Sequence, residues 1–352
     1  MERRDTEWFA RCGWGVFCHY LTEPETSADG WNRQVDGFSV AGLASQLAAV
    51  KARYFFVTVG QGSGHHCAPN ETYDRVAGVR PSKCSRRDLV SDLYEALHPL
   101  GIELMVYVPA HAPSLDPLAR EGLRMTVHWN DEKQLDWRFG PHWAKYRLPE
   151  SQRLWQEICR DWSLRFGKKV RGWWVDGAYA REYLYPENAA PNLGTLAEAL
   201  RAGNPEAILA FNPGVSVPVI HYTDEEDYTC GEIASALPEC RDAFVAREGG
   251  HRARYHTLSY LGETWGVGLP RFPDELVLGY AKHVTSKGGV VSWDVPIGPS
   301  GLIPDAFVRQ LKAVGDALGP PGGCPATRPG SGVSVDEEAA CQATKEDLGF
   351  FD

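Results

Sequence analysis

Val170-Arg-Gly-Trp-Trp-Val-Asp176-Gly177 is a short apolar run that closes on an acid and a glycine. Its length and its aromatic and β-branched residues predict a buried strand, here over 170–175. Working outward, runs of the same kind recur at 14–19, 54–59, 103–109, 207–212, 227–230, 254–260 and 290–295, so the strand candidates number eight. Amphipathic stretches between them predict helices over 40–51, 87–99, 150–166, 193–202, 272–285 and 304–318. Strands alternating with helices imply a parallel α/β sheet. The best fit is a TIM-like (β/α)8 barrel with some helices missing or replaced by loops; a doubly wound open sheet is the alternative.

In a barrel the chemistry sits on the loops that follow the C-terminal ends of the strands. Here those positions carry His19, then Gly60-Gln-Gly-Ser-Gly-His-His-Cys67, then His111, Asp176-Gly177, Asn212-Pro213, Glu232 and Trp293-Asp294. Past residue 318 the composition changes. Eight of the twelve residues from Gly319 to Gly330 are Gly or Pro, and a polar acidic segment follows. The expected organisation is one catalytic barrel over 1–318 and an extended or disordered tail over 319–352.

Composition narrows the function. The 352 residues carry 36 Lys+Arg against 46 Asp+Glu, a formal net charge of −10, with no basic run longer than two residues, which argues against a nucleic-acid partner. No apolar stretch approaches the ~18 residues of a membrane span, and the N-terminal residues show no secretory signal. Nine cysteines, an odd number without a C-x-x-C pair, favour reduced thiols in a cytoplasmic setting over disulfides or a zinc site.

Several segments together resemble the retaining α-L-fucosidases of glycoside hydrolase family 29. Trp8-Phe-Ala-Arg-Cys-Gly-Trp-Gly-Val-Phe-Cys-His19 is similar to that family's opening strand with its sugar-binding histidine, and Ala52-Arg-Tyr-Phe-Phe-Val-Thr-Val, with His65-His66 after it, to its next strand and His-His pair. Arg87-Asp-Leu-Val-Ser-Asp-Leu and Gly101-Ile-Glu-Leu-Met-Val-Tyr107 resemble the following helix and strand. Trp173-Trp-Val-Asp176-Gly resembles the nucleophile strand, and the stretch from Ser286 to Pro304 resembles the last strand and loop. The match runs in order over roughly 8–318. Two features depart from it: Gly60-Gln-Gly-Ser-Gly64 intervenes before the histidine pair, and Ser292-Trp-Asp294 stands where the family usually has aliphatic residues and Asn. No sandwich domain fits after 318. The resemblance implies a divergent, barrel-only enzyme that needs no cofactor and acts on a carbohydrate.

A retaining glycosidase needs one carboxylate to attack the anomeric carbon and a second carboxyl to donate, then withdraw, a proton. Asp176, at a strand end before Gly177, suits the nucleophile; the alternative is an Asp capping the next helix. Glu232 is the leading acid/base, with Glu263 second and Glu226 and Glu248 as rivals; each also fits a solvated loop carboxylate. The resemblance casts His19, His65 and His66 as sugar-hydroxyl partners, a role an imidazole fills as donor and acceptor. A core histidine is the alternative for His19, and a metal site for the pair, though no third ligand accompanies it. Tyr107, Trp174 and Trp293 fill the barrel or wall its mouth, and with Glu263 complete the expected substrate contacts. The glycine loop lacks dinucleotide or phosphate-loop spacing. The expected activity is exo-acting, retaining removal of a terminal α-L-fucosyl or related deoxy-sugar. A substituted fucose or L-galactosyl substrate, and a barrel that binds sugar without cleaving it, are the alternatives.

Overall fold

Seven of the predicted runs form parallel strands: β1 (Trp14–Cys18), β2 (Tyr54–Thr58), β3 (Glu103–Pro109), β4 (Gly172–Asp176), β5 (Ile208–Phe211), β8 (His256–Tyr260) and β9 (Val290–Asp294). They pair in the order β5-β4-β3-β2-β1-β9-β8, a curled sheet of the (β/α)8-like barrel class. A short antiparallel hairpin of β6 (Phe244–Ala246) and β7 (Arg252–Arg254) precedes β8. The computed structural model describes residues 4–128, 131, 141–247 and 249–319. Beyond Gly319 the predicted tail lies outside the described residues, as does Glu248.

All six predicted helices are present, as α3 (Val40–Ala49), α5 (Leu89–Leu97), α7 (Pro149–Phe166), α9 (Leu193–Leu200), α10 (Asp274–Ser286) and α11 (Asp305–Leu318). Five further helices, most of them short, were not predicted: α1 (Glu7–Cys12), α2 (Ala28–Asp36), α4 (Glu71–Val76), α6 (Pro117–Gly122) and α8 (Arg181–Leu184). Local caps explain several of them. Ser27, Asn70 and Asp116 each accept a backbone N–H of the first turn that follows, which meets donors the helix cannot satisfy itself.

Side chains alternate across each strand, and this separates two cores. Val16, Phe55, Val57, Val106, Trp173, Val175 and Trp293 face the helices. Phe17, Tyr54, Phe56, Met105, Tyr107, Trp174, Ile208 and Leu258 fill the lumen, where Trp8 and Phe9 of α1 join them. Gly15 makes room for one of these rings, since a Cβ there would lie 2.5 Å from the Tyr54 side chain.

The eighth strand candidate, 227–230, is not a ladder strand, although it occupies the gap between β5 and β8. Only scattered backbone bonds join it to its neighbours, such as Asp227 N–H to the Leu209 carbonyl (2.9 Å) and Thr229 N–H to that of Arg254 (2.8 Å), and side chains take up other strand N–H groups. Asp227 Oδ2 accepts the Leu209 N–H (2.9 Å), Glu226 Oε1 that of Phe211 (3.0 Å), and Thr229 Oγ1 that of His256 (2.9 Å). Isolated parallel bridges link Tyr228 to Arg254 and Glu232 to Leu258. The buried Arg201–Asp227 ion pair (2.6 Å) holds the segment against α9. The segment thus closes the wall with irregular backbone and carries Glu232 to the rim.

Candidate active site

Asp176 ends β4 on its lumen face, two residues after the lumen-facing Trp174. Its partners are all donors. Oδ1 accepts the Gly177 N–H (2.8 Å) and Asn212 Nδ2 (2.8 Å), and Oδ2 accepts the Tyr107 hydroxyl (2.6 Å). Tyr107 in turn accepts from Gln61 Nε2 (2.6 Å). Burial first, and the Asp176 charge second, push the Tyr107 phenol well up, so it stays a donor. These contacts hold the carboxylate in one rotamer while one side of it remains open to a cavity.

Asn212, fully buried just past β5, is the hinge of the arrangement. Its amide nitrogen donates both to Asp176 Oδ1 and to Glu232 Oε2 (2.6 Å), and its Oδ1 accepts the Gly214 N–H (2.9 Å). The two carboxylate oxygens therefore lie no farther apart than the sum of 2.8 Å and 2.6 Å. Burial raises the Glu232 carboxyl, the neighbouring Asp176 charge raises it further, and the Asn212 hydrogen bond and His19 pull it partly back. The result is about 7. One acid is thus poised to hold a proton near neutrality beside a second carboxylate that receives only donors.

His19, just past β1, gives its Nδ1 hydrogen to Asp294 Oδ1 at 2.8 Å. Burial works against its protonated form, but the Asp294 charge and hydrogen bond, with Asp176 and Glu232 behind them, outweigh it and shift the imidazole upward. His19, Leu21, Gln61, Tyr107, Trp174, Asp176, Glu232, Leu258 and Trp265 line a cavity of about 300 Å³. A second compartment of about 490 Å³ adjoins it across Leu21, Gln61, Tyr107 and Asp176, and extends to His111, Ser114, Leu115 and Tyr179.

The structure thus brings together Asp176, Glu232, His19, Tyr107 and Trp174. It places five other candidates elsewhere. Trp293 immediately precedes Asp294, so alternation turns its indole to the helix side, where it is fully buried near Tyr280 (ring centroids 6.0 Å). His66 lies behind the sheet against Tyr73 and Trp162 (4.7 and 4.8 Å). Burial first, then His65 and Lys83, lower it to about 3. His65 is buried too, with Nε2 on the Thr26 carbonyl (2.9 Å). The inserted glycine loop explains the change: it sends Gln61 into the cavity and returns the histidine pair beneath. Gly60 is needed there, since a Cβ would come within 2.2 Å of His66 Nδ1. Glu263 is exposed and lines neither compartment. Glu226 is committed to backbone, accepting from Phe211, Tyr222 and Thr223, and burial lifts it to about 8.

Gln61, Asn212, Tyr179, Trp265 and Asp294 had no role assigned from sequence. Asn212 and Asp294 carried the same strand-end signal as Asp176, whereas Gln61 and Trp265 sit inside loops that have no period to read. Among the described residues no cluster of three or more His, Cys, Asp or Glu is placed to hold a metal ion, and no helix is long and apolar enough to cross a membrane.

No protein-family model matches the chain, and neither does any curated protein. Solved structures do. An endo-fucoidan hydrolase of glycoside hydrolase family 107 superposes with a TM-score of 0.66 at 13% identity, over 90% of this chain and 94% of that one. A second endo-fucoidan hydrolase of that family gives 0.64 at 16% identity; 89% of this chain matches, spanning 54% of the other's length. The α-L-fucosidase isoenzyme 1 from Paenibacillus thiaminolyticus gives 0.58 at 16% identity, over 89% of this chain and 75% of that one. The chain therefore shares its fold with two kinds of glycoside hydrolase, and the likeness to family 29 read from the sequence is a likeness of fold that family 107 shares.

Proposed function

We propose that the protein is a glycoside hydrolase that cleaves an α-L-fucosyl or closely related deoxy-sugar linkage with retention of configuration. The observation that carries this reading is the single Asn212 amide nitrogen shared by Asp176 and Glu232. It keeps the two bridged carboxyl oxygens no farther apart than the ~5–5.5 Å of retaining pairs, which favours that mechanism over the ~6.5–9.5 Å spacing that admits a water in inverting ones. Asp176 attacks the anomeric carbon as the bond to the leaving oxygen breaks, and the Glu232 proton passes to that oxygen. Glu232, now a carboxylate, takes a proton from water. The water oxygen attacks the anomeric carbon, the glycosyl–Asp176 ester bond breaks, and both carboxyls return to their starting states.

The inner compartment receives the sugar being transferred. One wall is apolar, formed by Trp174, Leu258 and Trp265, which suits a ring that presents a methyl in place of a hydroxyl. Beside Trp265, His19 meets hydroxyl oxygens. The outer compartment receives the leaving group. We take the enzyme to act on chain ends. An endo-acting enzyme is the second reading, favoured by a second compartment that adjoins the first across Leu21, Gln61, Tyr107 and Asp176, and an uncleaving sugar-binding barrel is disfavoured by the raised acid beside Asp176. The test is a panel of nitrophenyl glycosides, with the anomeric product followed by NMR. Release from the α-L-fucoside with the α-anomer formed first is expected. Turnover of only a non-fucosyl glycoside reassigns the sugar, and a β-anomer formed first removes the retaining mechanism. End-labelled oligosaccharides separate exo from endo action.

A further inference from the structure

Asp294 ends β9 on the lumen face and is fully buried. It lies in register with Phe17 of β1 and Tyr260 of β8, so its carboxylate sits between the ends of two strands. Each oxygen has a separate task. Oδ1 accepts His19 Nδ1–H (2.8 Å), and Oδ2 accepts the backbone N–H of Gly266 (2.6 Å). Gly266 turns through φ +64°, a left-handed conformation that favours glycine, and so aims that N–H inward. The residue before it, Trp265, packs edge-on against His19 (6.0 Å) and Tyr260 (4.8 Å) as a wall of the inner compartment.

We propose that Asp294 is the positioning residue of the inner compartment, holding His19 through its Nδ1–H and the Trp265 wall beside it through the Gly266 N–H, from a single buried carboxylate. This rests on the proposed sugar site. A carboxylate only accepts, so Nδ1 carries a hydrogen and Nε2 is the ring nitrogen left to meet the sugar. With the imidazole charged, Nε2 donates as well, and a sugar oxygen there receives a charge-assisted hydrogen bond. The charged and titratable groups around the ring are Asp294 on β9, Asp176 on β4, Glu232 on the 227–232 segment, Tyr107 on β3 and the neighbouring Cys18. The three carboxyls all favour the charged ring. An amide at 294 keeps the shape but has one accepting atom for two donors, so one tie is lost.

The experiment follows the His19 ring, the Gly266 amide and L-fucose binding by NMR in the full chain, wild type and Asp294→Asn, across pH. In the wild type His19 is expected to titrate above its ordinary ~6.5. L-fucose affinity should fall about tenfold as pH rises through that value. In Asp294→Asn the His19 titration should drop, the Gly266 amide should lose protection from exchange, and the pH dependence of affinity should flatten. His19 titrating alike in both proteins, or below its ordinary value in the wild type, overturns the proposal; the wild-type reading suffices if the variant does not fold. Should His19 and Gly266 respond as expected while L-fucose binds at no pH, the positioning stands and the sugar assignment fails.

Discussion

Two strand ends carry a tryptophan and an aspartate, and one residue of spacing separates their fates. In β4, Trp174 and Asp176 are two apart, so both face the lumen; in β9, Trp293 and Asp294 are adjacent, so the ring faces the helices and the acid faces the lumen. The two acids differ in turn. Asp176 keeps part of its surface open to the cavity, whereas Asp294 is sealed and spends both oxygens on neighbours. A strand-end acid marks the rim of a barrel, but exposure decides whether it can touch a substrate or only arrange what does.

The largest effect should come from the open acid. Asp176→Asn should lower kcat by about 10⁴-fold or more on every glycoside, whatever the leaving group, since no ester can form. Azide should restore turnover through an anomer of inverted configuration. Residual activity within tenfold of wild type would return Asp176 to a structural role. Next comes Glu232→Gln, expected to slow glycosides with poor leaving groups by about 10²–10⁴-fold and activated aryl glycosides far less. In the wild type, activity should fall as pH rises through about 7, where Glu232 is expected to lose its proton, and this limb should vanish in the variant. The stability sign is opposite to that of an ion-paired acid. The folded state holds the Glu232 proton more tightly than the unfolded one, so wild-type stability declines relative to Glu232→Gln as pH rises from about 4.5 to about 7. Parallel thermal midpoints over that range would remove the raised carboxyl.

The strands and main helices were legible because burial imposes period and length on them, and the rim followed from their ends. Asp176, Glu232, His19, Tyr107 and Trp174 were reachable that way. Parity would also have turned Trp293 away from the site, since Asp294 beside it takes the lumen. The sixth wall misled because 227–230 has the composition of a strand, while Asp227, Glu226 and Thr229 occupy the N–H groups a ladder would use. Gln61 and Trp265 were not legible at all. Their places are set by loops whose conformation depends on tertiary partners, the Tyr107 hydroxyl for one and Asp294 for the other.

The paired tryptophans give a smaller, cleaner contrast. Trp293→Ala should cost about 3–5 kcal/mol of stability through the cavity it leaves, while the folded fraction keeps its KM. Trp265→Ala should do the reverse, raising KM about tenfold with little change in thermal midpoint, because its ring is partly exposed on a loop. A Trp293 variant with altered KM and intact stability would break the parity argument.

The smallest effect belongs to His66, the histidine that resemblance placed at the sugar and the fold places behind the sheet. Neither of its ring nitrogens has a hydrogen-bond partner among the described residues, and its neighbours are the aromatic rings of Tyr73 and Trp162. His66→Phe keeps a ring in that slot and removes two unsatisfied polar atoms, so stability at neutral pH should hold or rise by about 1 kcal/mol. The kcat/KM should stay at the wild-type level, because the ring lines neither compartment. Acid separates the two proteins further. The unfolded chain protonates this imidazole near its ordinary ~6.5, and the folded chain only at about 3, so wild-type stability is lost as pH falls between the two. That is at most ~1.4 kcal/mol per pH unit for one group. The other depressed histidines, His65, His111, His128, His221 and His256, are present in both proteins and cancel in the difference. The gap in thermal midpoint between His66→Phe and wild type should therefore widen steadily below pH ~6.5, and a gap that stays constant would mean that His66 is solvated or partnered after all.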